Sequence, residues 1–264
     1  MPPLDYFAVL KFNSHHDATG KFSSTDASGW KKVGEQAGSN PGGVYEDEGG
    51  TRHYVKYPQK STSQIHIEKL ADSIYHVLGI PVKESQFVHN GSKEGLAGKM
   101  LVGSKSMTPA QINAHPDVKK GYVADAYVAN WDVFGMTHDN ILSHNGKAYR
   151  IDNGGSLFHR AQGDHKDYPA DRVDELKTLI APGKKGNKAY GDLSPAEVKS
   201  QADKLTSTLT DEKLKHLVDA AGFTGVDKDK YLTALKGRRD VIEKTFKVQK
   251  NDIACLVTGT FRRL

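Results

Sequence analysis

The stretch that decides the architecture reads Asn130-Trp131-Asp132-Val133-Phe134-Gly135-Met136-Thr137-His138-Asp139-Asn140 and continues Ile141-Leu142-Ser143-His144-Asn145-Gly146-Lys147-Ala148-Tyr149-Arg150-Ile151-Asp152-Asn153-Gly154-Gly155. Asn-Gly between two short apolar runs is a strong hairpin signal, because the tight turn that joins two right-twisted strands needs positive φ at both central residues. The pairing predicts strands over 140–143 and 148–152. Folding back on itself, such a ribbon brings Asn140 and Asp152 to the same end. Two oxygen-bearing side chains thereby become neighbours, with Asp132 only eight residues before Asn140.

Upstream, Gly38-Ser39-Asn40-Pro41-Gly42-Gly43 leads into Val44-Tyr45, a turn at 46–50, and Arg52-His53-Tyr54-Val55-Lys56-Tyr57, a pattern of glycine loop, strand, turn and strand. Ile67, Leu70, Ala71, Ile74 and Leu78 recur at helical spacing and Gly79-Ile80-Pro81 stops them, which predicts a helix over 63–78. Strands are expected over 85–89 and 96–102, joined by a turn at 90–95. A further helix is expected over 118–131. From about Asp174 the chain reads as helical, with Ser194-Pro195-Ala196-Glu197 as a capping box and a last helix over 229–246. Residues 1–37 read as a strand at Phe7 to Leu10 followed by a polar segment. Residues 38–103 read as a small sheet with one helix, and 104–264 as a mostly helical unit.

Taken in order, these parts form a set: a Gly-rich turn that exposes backbone N–H groups, a strand lysine (Lys56), a helix glutamate (Glu68), an Asp (Asp132), an Asn (Asn140) and a second Asp (Asp152). Each type has a reason in phosphoryl transfer: N–H groups and the lysine neutralise phosphate oxygens, the glutamate holds the lysine, Asp132 orients a hydroxyl, and Asn140 and Asp152 hold Mg²⁺. Gly38 to Gly43, Tyr54-Val55-Lys56, Asn130-Trp131-Asp132, His138-Asp139-Asn140-Ile141-Leu142 and Ile151-Asp152-Asn153-Gly154-Gly155 resemble the motifs of atypical kinases. Among these they resemble HipA-type bacterial kinases, type II phosphatidylinositol kinases and small bacterial kinase-like effectors. The resemblance covers about residues 38–160 and implies an α+β, two-lobed protein-kinase-like fold, with ATP and Mg²⁺ as cofactors. It implies Ser39, Asn40, Gly42, Gly43, Lys56 and Glu68 on the ATP side, with Met100 and Val102 in a hinge at 98–102 against adenine. Asp132 would be the catalytic residue, and Asn140 and Asp152 the metal ligands.

The chain departs from ordinary protein kinases in three respects. The Asp132-to-Asn140 interval is three residues longer than usual, so Asp139 competes with Asp132 as a catalytic or metal carboxylate, and Asp132 is favoured because it directly follows a helix in an Asn-x-Asp context. Asp-Asn-Gly replaces Asp-Phe-Gly. Neither His-Arg-Asp nor Ala-Pro-Glu occurs, which leaves the segment 156–170 without the usual activation landmarks.

Composition narrows the classes further. With 264 residues, 37% hydrophobic and 26% charged, the chain is neither disordered nor fibrous. Its single cysteine, Cys255, excludes an internal disulfide and a thiolate zinc site. The net charge of +5 suits a phosphate-bearing ligand, an acidic partner or nucleic acid without selecting among them, and the spread of Lys and Arg along the helical C-terminal region argues against a nucleic-acid stripe. No export leader or membrane span is visible at the sequence level, which points to the cytoplasm and leaves delivery into a host cell, as an effector or toxin, open. No Walker loop, His-Glu-x-x-His or Gly-x-Ser-x-Gly motif occurs, and His15-His16-Asp17 reads as a surface loop. The leading expectation is transfer of the γ-phosphoryl of ATP to a Ser or Thr hydroxyl of a protein. The alternatives are a lipid, inositol phosphate or other small-molecule acceptor, favoured by a basic pocket near Lys119, Lys120, Arg160 and Lys166; a pseudokinase; and an AMP transferase.

Overall fold

The computed structural model describes residues 24–36, 40–58 and 61–247. The expected strand at Phe7 to Leu10, His15-His16-Asp17, Ser39 and Cys255 lie outside the described residues. A six-stranded sheet holds β1 (Thr25–Asp26), β2 (Lys31–Gly34), β3 (Gly42–Glu46), β4 (Arg52–Lys56), β5 (Ser85–Asn90) and β6 (Lys93–Lys99) in the order β1-β5-β6-β4-β3-β2. β2 lies in a segment whose polar sequence reads as a connection. It is an edge strand with Lys31, Lys32 and Val33 exposed, so no alternation of apolar residues marks it. The β5–β6 hairpin turns over two residues, Gly91 and Ser92, because Glu94 and Gly95 continue pairing with His89 and Val88. β6 ends at Lys99, three residues short of the expected strand end.

Helix α1 (Ser63–Val77) follows the predicted span and links the two halves. Ile65 packs with Phe87 and Leu96 of the sheet. Ile67, Leu70, Ala71, Ile74 and Tyr75 join the main core instead, among residues of the helical half. That half contains β7 (Lys105–Ser106), α2 (Pro109–Ala114), α3 (Pro116–Lys119), α4 (Tyr122–Tyr127), β8 (Ile141–His144), β9 (Lys147–Arg150), α5 (Glu175–Thr178), α6 (Lys185–Tyr190), α7 (Pro195–Thr208), α8 (Asp211–Ala220) and α9 (Gly225–Lys247). β7, β8 and β9 form a small sheet of their own, and the turn at Asn145-Gly146 has positive φ at both residues, as the sequence requires. The capping box at Ser194 and Glu197 is present.

The helix expected over 118–131 is broken into α3 and α4 around Lys120-Gly121. A Cβ at Gly121 would lie 1.9 Å from Nη2 of Arg150. The break gives this buried guanidinium its place: it makes a two-pronged contact with the Asp125 carboxylate at 2.7 and 2.8 Å and donates to the carbonyl of Val118. Tyr75 and Tyr190 donate to the same carboxylate. The end of the hairpin's exit strand is thus fixed to α3 and α4 just two residues before Asp152.

Candidate active site

The glycine pair Gly42-Gly43 lies inside β3, paired with Lys56 and Val55 of β4. A Cβ at Gly42 would come within 1.9 Å of the Val55 carbonyl oxygen, and one at Gly43 within 2.6 Å of that of Gly34. Only glycine tolerates so close an approach. Pro41 accepts from the Tyr57 N–H, so the turn that includes Asn40 is carried directly over the end of β4 where Lys56 stands.

The Lys56 side chain points inward and reaches both oxygens of Glu68 on α1, at 3.0 and 3.1 Å, and Oδ1 of Asp152 at 2.6 Å. Glu68 is buried and has a second cation, Lys83, whose Nζ donates to its Oε1 at 2.8 Å. Burial alone would push the Glu68 carboxyl up, but Lys56 and Lys83 together pull it down to about 2. Burial works against the Lys56 ammonium as well, and Glu68 and Asp152 outweigh it and raise its pKa. Glu68 and Lys56 are both charged at neutral pH. Lys83 escapes a motif reading because it stands outside any periodic pattern. Its signal is the neighbouring Gly98, where a Cβ would lie 2.8 Å from the Lys83 chain.

Asp152 adopts a left-handed conformation, φ 56°, which turns its exposed carboxylate towards β4 and away from the strand just ended. Across from it, Asn140 donates from Nδ2 to the Asp132 carbonyl at 2.7 Å and to its Oδ2 at 3.4 Å. Asp132 is half-buried. Burial, then the nearby Asp152 charge, raises its pKa, and the Asn140 hydrogen bond opposes the shift. The three extra residues before Asn140 form a loop around left-handed Gly135. Asp139 is exposed on that loop and accepts from the Thr137 N–H at 3.4 Å, whereas Asp132 is the carboxylate bonded to Asn140.

Beneath these groups runs a buried polar chain that sequence reasoning missed. Asn153, the middle residue of Asp-Asn-Gly, donates to Asp72 of α1 at 2.8 Å and accepts from Asn130 at 3.1 Å. Asn130 accepts from the Asp132 N–H and donates to the Tyr75 hydroxyl. Ser85 donates to the other oxygen of Asp72. Burial holds the Asp72 carboxyl up at about 6, although Lys83 and these donors pull the other way. A single amide therefore ties α1 to the segments that carry Asp132 and Asp152. Lys166 adds a second tie, donating to the carbonyls of Ala129 at 2.5 Å and Gly155 at 2.7 Å.

Other expected residues lie apart from this cluster. Met100 and Val102 follow the end of β6, and their N–H groups are already committed, to the carbonyls of Arg52 and Met100. Met100 lines a cavity of about 440 Å³ with Ile80, Val82 and Tyr149. Lys119 pairs with Asp192, and Lys120 lies 4.0 Å from Asp117. Lys166 is buried beneath Trp131, so these lysines form no common basic pocket. No group of three or more His, Cys, Asp or Glu side chains forms a ready metal cage among the described residues. Mg²⁺ rarely uses one, since it is commonly held by one or two carboxylates together with substrate phosphates. Asp152 and Asn140 fit that pattern.

The chain is similar to the crystal structure of CtkA, a proinflammatory kinase of Helicobacter pylori. The TM-score is 0.59 at 16% identity, over 87% of this chain and 100% of that one. The fold is α+β and kinase-like. A second match is the Shewanella oneidensis toxin–antitoxin complex of HipA, HipB and operator DNA, with a TM-score of 0.40 at 10% identity, over 83% of this chain and 69% of that chain. No family profile matches the sequence, and no curated protein matches it. Among the described residues, no helix is long and apolar enough to cross a membrane.

Proposed function

We propose that this kinase-like fold carries a working Mg²⁺-dependent kinase that moves the γ-phosphoryl group of ATP to a Ser or Thr hydroxyl of a protein. The observation that carries the reading is the charged cluster Lys56–Glu68–Asp152, set against the Asp132–Asn140 pair. Lys56 would turn from Asp152 to the nucleotide phosphates, while Lys83 keeps Glu68 neutralised and in place. Asp152 and Asn140 would hold Mg²⁺, which when bound screens the charge on the phosphates. Asp132 orients the acceptor hydroxyl and takes its proton late, a role helped by its raised pKa. Gly42 and Gly43 bring the backbone over Lys56, where it can meet phosphate oxygens.

A protein acceptor is favoured over a small one because an open cleft of about 560 Å³ lies beside Asp132, and Lys119 and Lys166 are committed to separate partners, the Asp192 carboxylate and the carbonyls of Ala129 and Gly155. The test uses purified protein, Mg²⁺ and ATP labelled in parallel at the γ- and α-phosphates, with and without cell lysate. Label from the γ position on protein is the expected result. Label from the α position would indicate AMP transfer, and ATP consumption without labelled protein a small acceptor. Asp152→Ala should abolish turnover and Lys56→Ala should lower it by orders of magnitude; near-normal rates in either variant would refute the assignment.

A further inference from the structure

The cleft beside Asp132 is lined by Trp131, Phe134, Met136, Thr178, Leu179, Lys184 and Lys185, and it opens to solvent. Two apolar side chains are conspicuous there. Met136 is 84% exposed and Trp131 50% exposed, although both sit on the loop that carries the catalytic carboxylate. Trp131 is not loose. Its indole N–H donates to Glu175 at 3.0 Å, and the Lys166 ammonium lies 4.7 Å from the ring centroid and the Arg160 guanidinium 5.7 Å. A large aromatic surface held rigid before any contact loses little entropy on binding, and such residues dominate protein recognition. Met136 beside it supplies an adaptable apolar edge.

The cleft also carries more positive than negative charge. Lys184 is exposed, and Lys185 spends its ammonium on the carbonyls of Gly135 and Met136. Neither pairs with a carboxylate among the described residues, and the one acid in the lining is Asp132, already in contact with Asn140. Two cations beside an apolar wall complement an acidic and apolar ligand.

Resting on the protein-kinase reading above, we propose that this cleft is the acceptor subsite. It would take a segment of a protein substrate that presents a bulky apolar side chain to Trp131, Met136 and Leu179, and an acidic side chain to Lys184, near the Ser or Thr whose hydroxyl meets Asp132. The apolar contact supplies most of the discrimination. Burying one Leu-sized side chain corresponds to selection of about tenfold or more over glycine. The exposed Lys184 contact contributes about two- to fivefold.

The probe is a positional-scanning library of Ser/Thr peptides with γ-labelled ATP, read beside ADP release from the same reactions. The wild-type protein should select Leu, Met or Phe at one position, and Asp or Glu at another, over small neutral residues. Lys184→Glu should invert the acidic preference to Lys or Arg at that same position and leave the apolar one in place. Met136→Ser should flatten the apolar preference. Loss of activity through misfolding cannot imitate an inverted preference, and a thermal melt of each variant checks the fold. Flat selection with ADP still released, or preferences unchanged in both variants, would overturn the subsite while leaving the kinase reading intact. Absence of both ADP release and label transfer would refute the kinase reading, and the subsite with it.

Discussion

Asn153 offers the sharpest test of how the site is held. Replacement by Leu keeps the bulk of the side chain and removes both amide contacts. The hydrogen bond it donates goes to the buried Asp72 carboxylate at 2.8 Å, and the one it accepts comes from the buried Asn130 amide at 3.1 Å. Hydrogen bonds to a charged group contribute roughly 1.5–3 kcal/mol and neutral ones roughly 0.5–1.5, so Asn153→Leu should cost about 2–4 kcal/mol. For a chain of this size that lowers Tm by about 4–16 °C. Activity should suffer more than ATP affinity. Asn130 loses one of the contacts that fix the Asp132 backbone, and small misplacements near the reacting atoms reduce kcat about a hundredfold. Calorimetry and steady-state kinetics on the same preparation measure both effects. The double variant Asp72→Leu/Asn153→Leu removes the stranded carboxylate and should regain part of the lost stability, which identifies its source. A Tm within 2 °C of the parent, together with an unchanged kcat, would show that the polar chain carries no weight.

Arg150→Met leaves the Asp125 carboxylate buried with only the Tyr75 and Tyr190 hydroxyls, and should cost about 3–5 kcal/mol; a loss under about 1 kcal/mol by denaturant titration would contradict the pairing. Lys166 predicts a pH effect of definite sign. Burial lowers its pKa to about 7, whereas in the unfolded chain it titrates near 10.4, so the folded state holds fewer protons between these values and stability gains from Lys166 as pH rises through that window. Relative to Lys166→Met, the parent should therefore be less stable at pH 6 than at pH 9.5, and a constant difference across this range would refute the shift.

The parts legible in the sequence were those fixed by near neighbours. Asn145-Gly146 dictates its hairpin, Ser194 and Glu197 cap their helix, and the spacing of Ile67, Leu70 and Ile74 sets the face of α1. The hairpin then aligns Asn140 with Asp152 without further information. The hidden part consists of polar side chains whose burial depends on partners far along the chain. Asp72 meets Asn153, Lys166 meets Ala129, and Lys83 meets Glu68, none with a local pattern to announce it. The break at Gly121 is of the same kind, since its cause is Arg150, almost thirty residues later. A helix-period pattern records which face is apolar, and it does not record where a distant guanidinium needs room.

On the proposed kinase reading, the position of α1 bears on how the activity is turned on and off. Many switches in kinase-like folds work by swinging the glutamate-bearing helix away from the lysine strand. Here Ile67, Leu70, Ile74, Tyr75 and Leu78 are embedded in the core of the helical half, and His66 on the same helix meets the Ala221 carbonyl beyond α8. Exposing those five side chains would cost about 7–15 kcal/mol at roughly 1.5–3 each, as much as a whole domain commonly has in stability. Glu68 is thus anchored to the helical half, and it holds its place for as long as the protein stays folded. On the kinase reading, swinging α1 is a costly form of restraint, and what occupies the cleft, how much of the protein is made, or whether a substrate is within reach are cheaper ones.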